Sequence, residues 1–151
     1  MKVHLAWIVV RAGRRKQSGA AELVADYVKR TRTYAEVEVL EATSEAELLA
    51  KVEKLAGRSK PMLVLLDSRG KLRSSEEVAG LLRDAQDDGT QHAVFAIGGA
   101  DGWSESTKAR ADELLSFGRI TLPHELARVV LAEQVYRAFT ILAGHPYLTG
   151  H

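Results

Sequence analysis

Three glycines, at positions 98, 99 and 102, interrupt the stretch Phe95–Glu105 between an apolar run and Ser104, which opens a helix-like segment. Glycine takes positive φ without cost and lets a ligand or another backbone approach where a Cβ would otherwise stand. Such a loop serves a nucleotide phosphate, some other cofactor, or only a tight turn. The spacing here is G-G-x-x-G and not G-x-G-x-x-G. No acidic residue lies about twenty positions on, at the end of a second strand, to hold a ribose. The G-x-x-x-x-G-K-[ST] phosphate loop is absent as well,. A cofactor that needs no phosphate cradle and a turn without a ligand both remain open.

Other chemistries are narrowed by composition. Cysteine is absent, which excludes disulfides and thiolate metal sites,. The five histidines, His4, His92, His124, His145 and His151, are scattered, with no pair at helix-face ligand spacing, so no metal site is expected. The formal net charge of +1 argues neither for nor against nucleic acid. Its distribution says more: Arg11, Arg14, Arg15 and Lys16 crowd one early loop, and Lys29, Arg30 and Arg32 crowd the end of the next helix. Such clusters form either a solvated face or a phosphate-binding surface. Glu133 and Arg137, in the favourable i,i+4 order, form ordinary surface support unless Arg137 meets a ligand.

These residues must be carried by a fold, and the chain alternates strand and helix patterns throughout. Apolar, β-branched runs occur at Val3–Val10, Val37–Leu40, Met62–Leu66 and Ala93–Ile97, with a shorter one at Ile120–Leu122,. Helical patterns fall at about Gly19–Arg32, Glu45–Leu55, Ser75–Gln86 and Glu105–Leu115. Ser44-x-x-Glu47 and Ser74-x-x-Glu77 read as capping boxes, and Ser104 as a third N-cap,. The runs MLVLL and AVFAI are apolar at nearly every position, as parallel strands covered on both faces must be. The expectation is an α/β fold, a mostly parallel sheet flanked by helices, in one domain over residues 1–151. No apolar run reaches membrane-spanning length. The opening VHLAWIVV stops at Arg11 without a small-residue cleavage site and reads as a strand, so a cytoplasmic location is expected,.

The last helical pattern, from Pro123 through about Leu142, is apolar nearly all round: Leu126, Val129 and Tyr136 fall among its charged positions, opposite Leu131, Val135, Phe139 and Leu142. A sheet covers only one face of such a helix. A homodimer interface is the expected cover for the other, and a central helix in a monomer is the alternative.

Taken together, LLDSRGKLRSSEEVAGLL, FAIGGADGWSE, LSFGRITLPHELARVVLAEQVYRAF and the terminal HPY closely resemble the small SPOUT-class methyltransferases that modify N3 of a pseudouridine in 23S ribosomal RNA of the large subunit. The resemblance spans nearly the whole chain and is strongest from Met62 to Tyr147. It implies a C-terminal trefoil knot, a homodimer built around the last helix, and S-adenosylmethionine as methyl donor. That donor carries a sulfonium cation and no phosphate, in keeping with the missing phosphate motifs. It also implies large-subunit rRNA or the assembled ribosome as partner. Carried over position by position, the cofactor contacts would be Leu66, Gly98, Phe117, Gly118, Arg119, Ile120, Thr121 and Leu122. His124 would orient the target base or take its proton, Arg137 would hold a phosphate or stabilise charge on the ring, and Tyr147 would stack on or bond to the base. The sequence departs from the family after Tyr147, where Leu148-Thr149-Gly150-His151 replaces a short basic tail. That departure leaves two other readings, a catalytically impaired knotted RNA-binding protein and a methyltransferase of another RNA.

Overall fold

The structure, a computed structural model, describes residues 1–10 and 18–147. The basic loop of Arg11, Arg14, Arg15 and Lys16 and the tail Leu148–His151 lie outside the described residues. The elements run β1 (Lys2–Ile8), α1 (Gly19–Thr31), β2 (Glu36–Ala42), α2 (Glu45–Glu53), β3 (Met62–Leu72), α3 (Ser75–Asp87), β4 (His92–Ile97), α4 (Glu105–Arg110), β5 (Glu113–Ser116) and α5 (His124–Leu142). Five strands form one wholly parallel sheet in the order β2-β1-β4-β3-β5.

Side chains alternate across each strand, so the apolar runs serve two cores at once. On one face Val3, Leu5, Trp7, Val64 and Phe95 pack with Val24 and Val28 of α1, Val78 and Leu82 of α3, and Leu131, Val135 and Phe139 of α5. On the other, Ala6, Leu63, Leu65, Val94 and Ala96 pack with Leu48 and Val52 of α2 and with Trp103. Helix α4 lies beside α2, held by the Arg110–Glu53 ion pair and by the Ser104 amide donating to Glu45 Oε1 at 2.9 Å.

Helix starts follow the sequence signals. Ser74 and Glu77 form a complete capping box, and Ser104 accepts from the Thr107 amide. Ser44 caps α2, but Glu47 reaches the Thr43 amide and hydroxyl, at 2.8 and 2.6 Å, in place of the Ser44 amide. Pro123 stands at the N-cap of α5, one residue earlier than the first-turn position expected for it.

The larger departures lie between residues 67 and 122. Helix α4 stops at Arg110, the fifth strand is Glu113–Ser116, and Ile120–Leu122 joins no strand. The sequence pattern had placed Leu114 and Leu115 at the end of a helix. The cause is local: Ala111 turns extended, at φ −71° and ψ 143°. Asp112 then clamps Leu63 twice, its amide donating to the Leu63 carbonyl at 2.8 Å and its carboxylate accepting from the Leu63 amide at 2.7 Å. That pair of hydrogen bonds sets β5 alongside β3, and Leu115 is buried as a strand residue.

Strand β3 is also longer than expected and contains a bulge. Leu66 and Lys71 both stand opposite Leu115, so residues 67–70 loop out between them. Gly70 closes that loop against β5: a Cβ there would lie 2.6 Å from the Leu114 carbonyl carbon and oxygen. Both contacts are with backbone, which has nowhere to retreat.

Helix α5 sits on the sheet beside α1 and α3. These neighbours cover much of its apolar circumference, burying Leu131, Ala132, Val135, Tyr136, Ala138 and Phe139. Leu126 and Ile141 remain 50% and 38% exposed.

Two stability predictions follow from this architecture. Gly70→Ala should destabilise the fold by about 1–3 kcal/mol, the range of overpacking against an unyielding neighbour. Gly80→Ala, inside α3 with only the far end of Arg83 nearby, should stabilise it by about 0.5–1 kcal/mol,. Urea unfolding of the two variants checks the contrast. At the opposite end of the sheet, His4 Nε2 lies 3.0 Å from His92 Nδ1. Burial pushes the His4 pKa down from its ordinary 6.5, with His92 and Lys2 adding to the effect and Glu38 opposing it. The unfolded chain therefore binds the proton more readily, so stability is retained above the ordinary histidine pKa and falls as pH drops through it. In His4→Gln this part of the acid loss should be absent, as unfolding curves between pH 7 and pH 5 would record.

Candidate functional site

Ligands in parallel sheets sit at the carboxyl ends of strands, and three such ends converge here: β3 after Leu66, β4 after Ile97 and β5 after Ser116,. The glycine loop leaves β4 between the other two. Gly98 is buried, and a Cβ on it would meet the Trp103 indole at 3.1 Å. Trp103 Nε1 donates to the Leu66 carbonyl at 3.1 Å. Gly99 and Gly102 close the turn between, with the Gly102 amide donating to the Gly99 carbonyl at 3.0 Å and Gly102 at φ +71°. The space above Gly98 is thus filled by this chain's own tryptophan, which ties the exit of β4 to that of β3.

The loop after β5 has a different character. The Ser116 hydroxyl accepts from the Gly118 amide at 3.1 Å and lies within hydrogen-bonding reach of the Ser68 and Gly118 carbonyls. Gly118 adopts φ +120° with open space on its Cβ side. Arg119, Ile120 and Thr121 are exposed, while Phe117 and Leu122 are half-buried. The segment therefore offers backbone amides and carbonyls framed by apolar side chains, with Arg119 as its one cation. A sulfonium cofactor with an adenine ring and an amino-acid tail suits such a surface.

His124 is exposed at the first turn of α5, directly after this loop. Arg137 and Tyr147 stand together at the other end of the helix. Arg137 Nε and Nη2 donate to Glu133 Oε1 at 2.9 and 2.5 Å, and the Arg137 guanidinium lies 5.1 Å from the centre of the Tyr147 ring. Tyr147 Oη donates to the same Glu133 oxygen at 3.4 Å, and the ring meets Tyr136 edge-on at 4.8 Å. Burial, followed by the Glu133 charge, pushes the Tyr147 phenol up to about 12, so it is a neutral donor at physiological pH. The hydrogen bond to Glu133 likewise raises the Arg137 pKa.

These site residues fall into two groups. Leu66, Gly98, residues 117–122 and His124 gather at the strand ends; Arg137 lies 13 residues further along α5 than His124, and Tyr147 packs against it from beyond the end of the helix. At the helical rise that separation is about 20 Å. Within one chain the groups do not meet.

Sequence reasoning missed several residues that shape the loops. Asp67 of the bulge accepts from the Arg69 amide at 2.8 Å and pairs with Lys108 of α4 at 3.3 Å. Trp103, Gly70 and Ser116 hold the same region. Trp103 carried one signal, a large aromatic directly after a glycine turn, but its partner Leu66 is 37 residues away. A cleft of about 720 Å³ also opens between α1, the ends of β1 and β2 and the start of α5, where Trp7 packs against Arg128. None of the glycine-loop residues or residues 117–122 lines it, and its rim reaches Val10 and Ser18, on either side of the segment outside the described residues. Among the described residues there is no group of three or more potential metal ligands, and no helix is long and apolar enough to cross a membrane.

Residues 1–148 match the pattern of the family described as predicted SPOUT methyltransferase. A protein of Koribacter versatilis named "Ribosomal RNA large subunit methyltransferase H" is 49% identical over 151 residues, covering 100% of both chains. One of the same name from Geobacter sp. strain M21 is 40% identical, covering 97% of this chain and 98% of its own. Among solved structures, a probable methylase family protein from Haemophilus influenzae superposes with a TM-score of 0.52 at 8% identity, over 99% of this chain and 71% of its own, which is a likeness of fold.

Removing the charge that disfavours the phenolate should be visible in Tyr147 itself. In Glu133→Gln its pKa is expected to fall from about 12 toward the ordinary tyrosine value,. Ultraviolet difference titration, with Tyr147→Phe to assign the signal, makes the measurement.

Proposed function

The chain belongs to the SPOUT methyltransferase family, and from that premise we propose that it transfers a methyl group from S-adenosylmethionine to N3 of a pseudouridine in 23S rRNA of the large ribosomal subunit. The observation that carries this reading is the end-to-end match to relatives whose printed name is that of a large-subunit rRNA methyltransferase. The geometry supports it through residues 117–122, a glycine-bearing loop of exposed backbone at the carboxyl ends of three strands.

The donor, when bound, supplies a methyl on a sulfonium centre, and the chain's residues do the rest. Backbone groups of Gly118, Arg119, Ile120 and Thr121 would hold its polar parts, with Leu66, Phe117 and Leu122 against its apolar surface. In-line transfer needs the nucleophile aligned and the N3 proton removed. His124, at the mouth of the loop, would orient the ring or take that proton. Arg137, held by Glu133 against the neutral Tyr147, would stabilise charge developing on the uracil oxygens,.

One chain cannot bring both groups together across about 20 Å of helix, which supports a homodimer in which each site takes its loop from one subunit and Arg137 and Tyr147 from the other. The exposed Leu126 and Ile141 of α5 favour burial against a partner. Within this reading the protein works in the cytoplasm as one domain, and the C-terminal knot forms part of the cofactor site. The replaced tail favours a second reading, an RNA-binding protein of the same fold without transfer activity.

Incubating the protein with labelled S-adenosylmethionine and large ribosomal subunits, followed by mass mapping of the RNA, separates the two. One methyl at a pseudouridine is expected, whereas cofactor binding with no transfer to large subunits, assembled ribosomes or total cellular RNA would favour the second reading. The shared site has its own test. A mixed dimer joining an Arg137→Ala subunit to a Gly118→Val subunit should recover about half of wild-type activity, because both lesions fall in one site and the other stays intact. Gly118→Val strains only the loop backbone, at φ +120° with open space around the added Cβ, whereas a Cβ at Gly98 would strike Trp103. A folded mixed dimer with no transfer would place both residues in the same chain.

A further inference from the structure

We propose that the bulge in β3, together with the loop leaving β5, forms a rim of cations that grips the RNA phosphate backbone beside the methyl-transfer site; the proposal rests on the RNA-methyltransferase reading above. Arg69, Lys71 and Arg119 are exposed and form no ion pair among the described residues. They belong to one structural unit, since Lys71 stands opposite Leu115 in the β3–β5 ladder, Leu72 opposite Ser116, and Arg119 follows three residues later.

What distinguishes this rim from an ordinary solvated face is the disposition of its acids. Each carboxylate of β3 and β5 is engaged. Asp67, with its side chain 11% exposed, accepts from the Arg69 amide at 2.8 Å and pairs with Lys108 at 3.3 Å. Glu113 holds Arg73 through two bonds of 2.6 Å. The acids of these two strands are therefore spent on fixing the backbone, while Arg69 and Arg119 form no ion pair among the described residues and Lys71 feels the charge of Glu77 on α3 without pairing with it.

The bulge is also rigidly seated. Asp67 pins the Arg69 amide, the Ser116 hydroxyl is 3.3 Å from the Ser68 carbonyl, Trp103 holds the Leu66 carbonyl, and Gly70 lies against Leu114. A cation whose backbone is fixed loses less conformational entropy when it meets a phosphate. Exposed Leu72 and Ile120, at 60% and 76%, flank the cations with apolar surface able to lie against ribose and base faces,. The chain's near-zero net charge conceals this local excess,.

Phosphate contacts reveal themselves in the salt dependence of binding, each contributing about one unit of slope. The test compares wild type, Arg69→Gln/Lys71→Gln and Lys54→Gln/Lys60→Gln in binding to purified large ribosomal subunits over a range of salt concentrations. Lys54 and Lys60 form no ion pair among the described residues and lie at the opposite end of the sheet. The Arg69/Lys71 variant should lose affinity and about two units of slope, with S-adenosylmethionine affinity and thermal stability unchanged, while the Lys54/Lys60 variant matches wild type. Unchanged slope in the Arg69/Lys71 variant, or an equal loss in the Lys54/Lys60 variant, would overturn the rim while leaving methyl transfer by wild type intact. Wild type that neither binds nor methylates the subunits would overturn the rim and the methyltransferase reading together.

Discussion

The indole of Trp103 lies where a side chain on Gly98 would be, and its N–H holds the carbonyl of Leu66. Much of the strand-end region depends on this contact. It joins the exits of two central strands through a side chain, at the last residue where β3 and β4 are still paired, Leu66 opposite Ile97. It also sets the start of α4, because Ser104 follows directly and caps that helix. From α4, Lys108 reaches back to Asp67 and fixes the bulge that follows Leu66. The loop that resembles a cofactor cradle in sequence is thus first a structural clasp. The open backbone is displaced to residues 117–122, on the neighbouring strand.

The bulge and the clasp are two halves of one solution to a packing constraint. Strand β3 must pair with β4 on one side and β5 on the other, yet β5 is only four residues long and begins late, after the Asp112–Leu63 clamp. Looping out residues 67–70 lets β3 meet Leu115 twice and carry its pairing on to Ser116. Only glycine at position 70 allows the two backbones to approach so closely, and φ is not the reason: the obstacle to any Cβ is the Leu114 carbonyl. The glycine of the LDSRGK motif is therefore explained by β5, a strand some forty residues away in the chain.

The same residues show what the sequence made legible. Alternation of strand and helix, continuous apolar runs and the serine caps all follow from local rules, and from β1 to β4 the structure departs from them only at the Glu47 cap and in the extended, bulged β3. The reading failed where a short segment had to choose between two local preferences. Glu113-Leu114-Leu115-Ser116 suits the end of a helix as well as a strand, and Asp112 decides the matter through a contact with Leu63, 49 positions away. Ile120-Thr121-Leu122 looks like a strand by composition, yet it pairs with no strand and runs as loop into α5. Gly98 was rightly marked as a place of close approach, but the partner it approaches could not be read locally. Arg137 and Tyr147 were marked through resemblance; their common partner Glu133 was visible only as a helix-spaced neighbour of one of them.

The distribution of those residues along α5 has a consequence that does not depend on the identity of any substrate. A helix is a rigid spacer of about 1.5 Å per residue, so His124 and Arg137 are held about 20 Å apart whatever the loops do. The reacting atoms of a methyl transfer lie within a few ångströms of one another. No rearrangement short of breaking α5 could bring both ends of one helix to that point, and its middle is buried against α1, α3 and the sheet. If both ends serve chemistry, two copies of the helix must be present, running so that the start of one lies near the end of the other. A two-fold axis across antiparallel helices meets that condition and makes two equivalent sites at once. The partly exposed apolar side chains Leu126 and Ile141 stand near the opposite ends of the helix, as such an axis requires of residues that would face each other across it. Catalysis and dimerisation would then be linked through one element, and a monomer would hold the parts of the site without being able to assemble them.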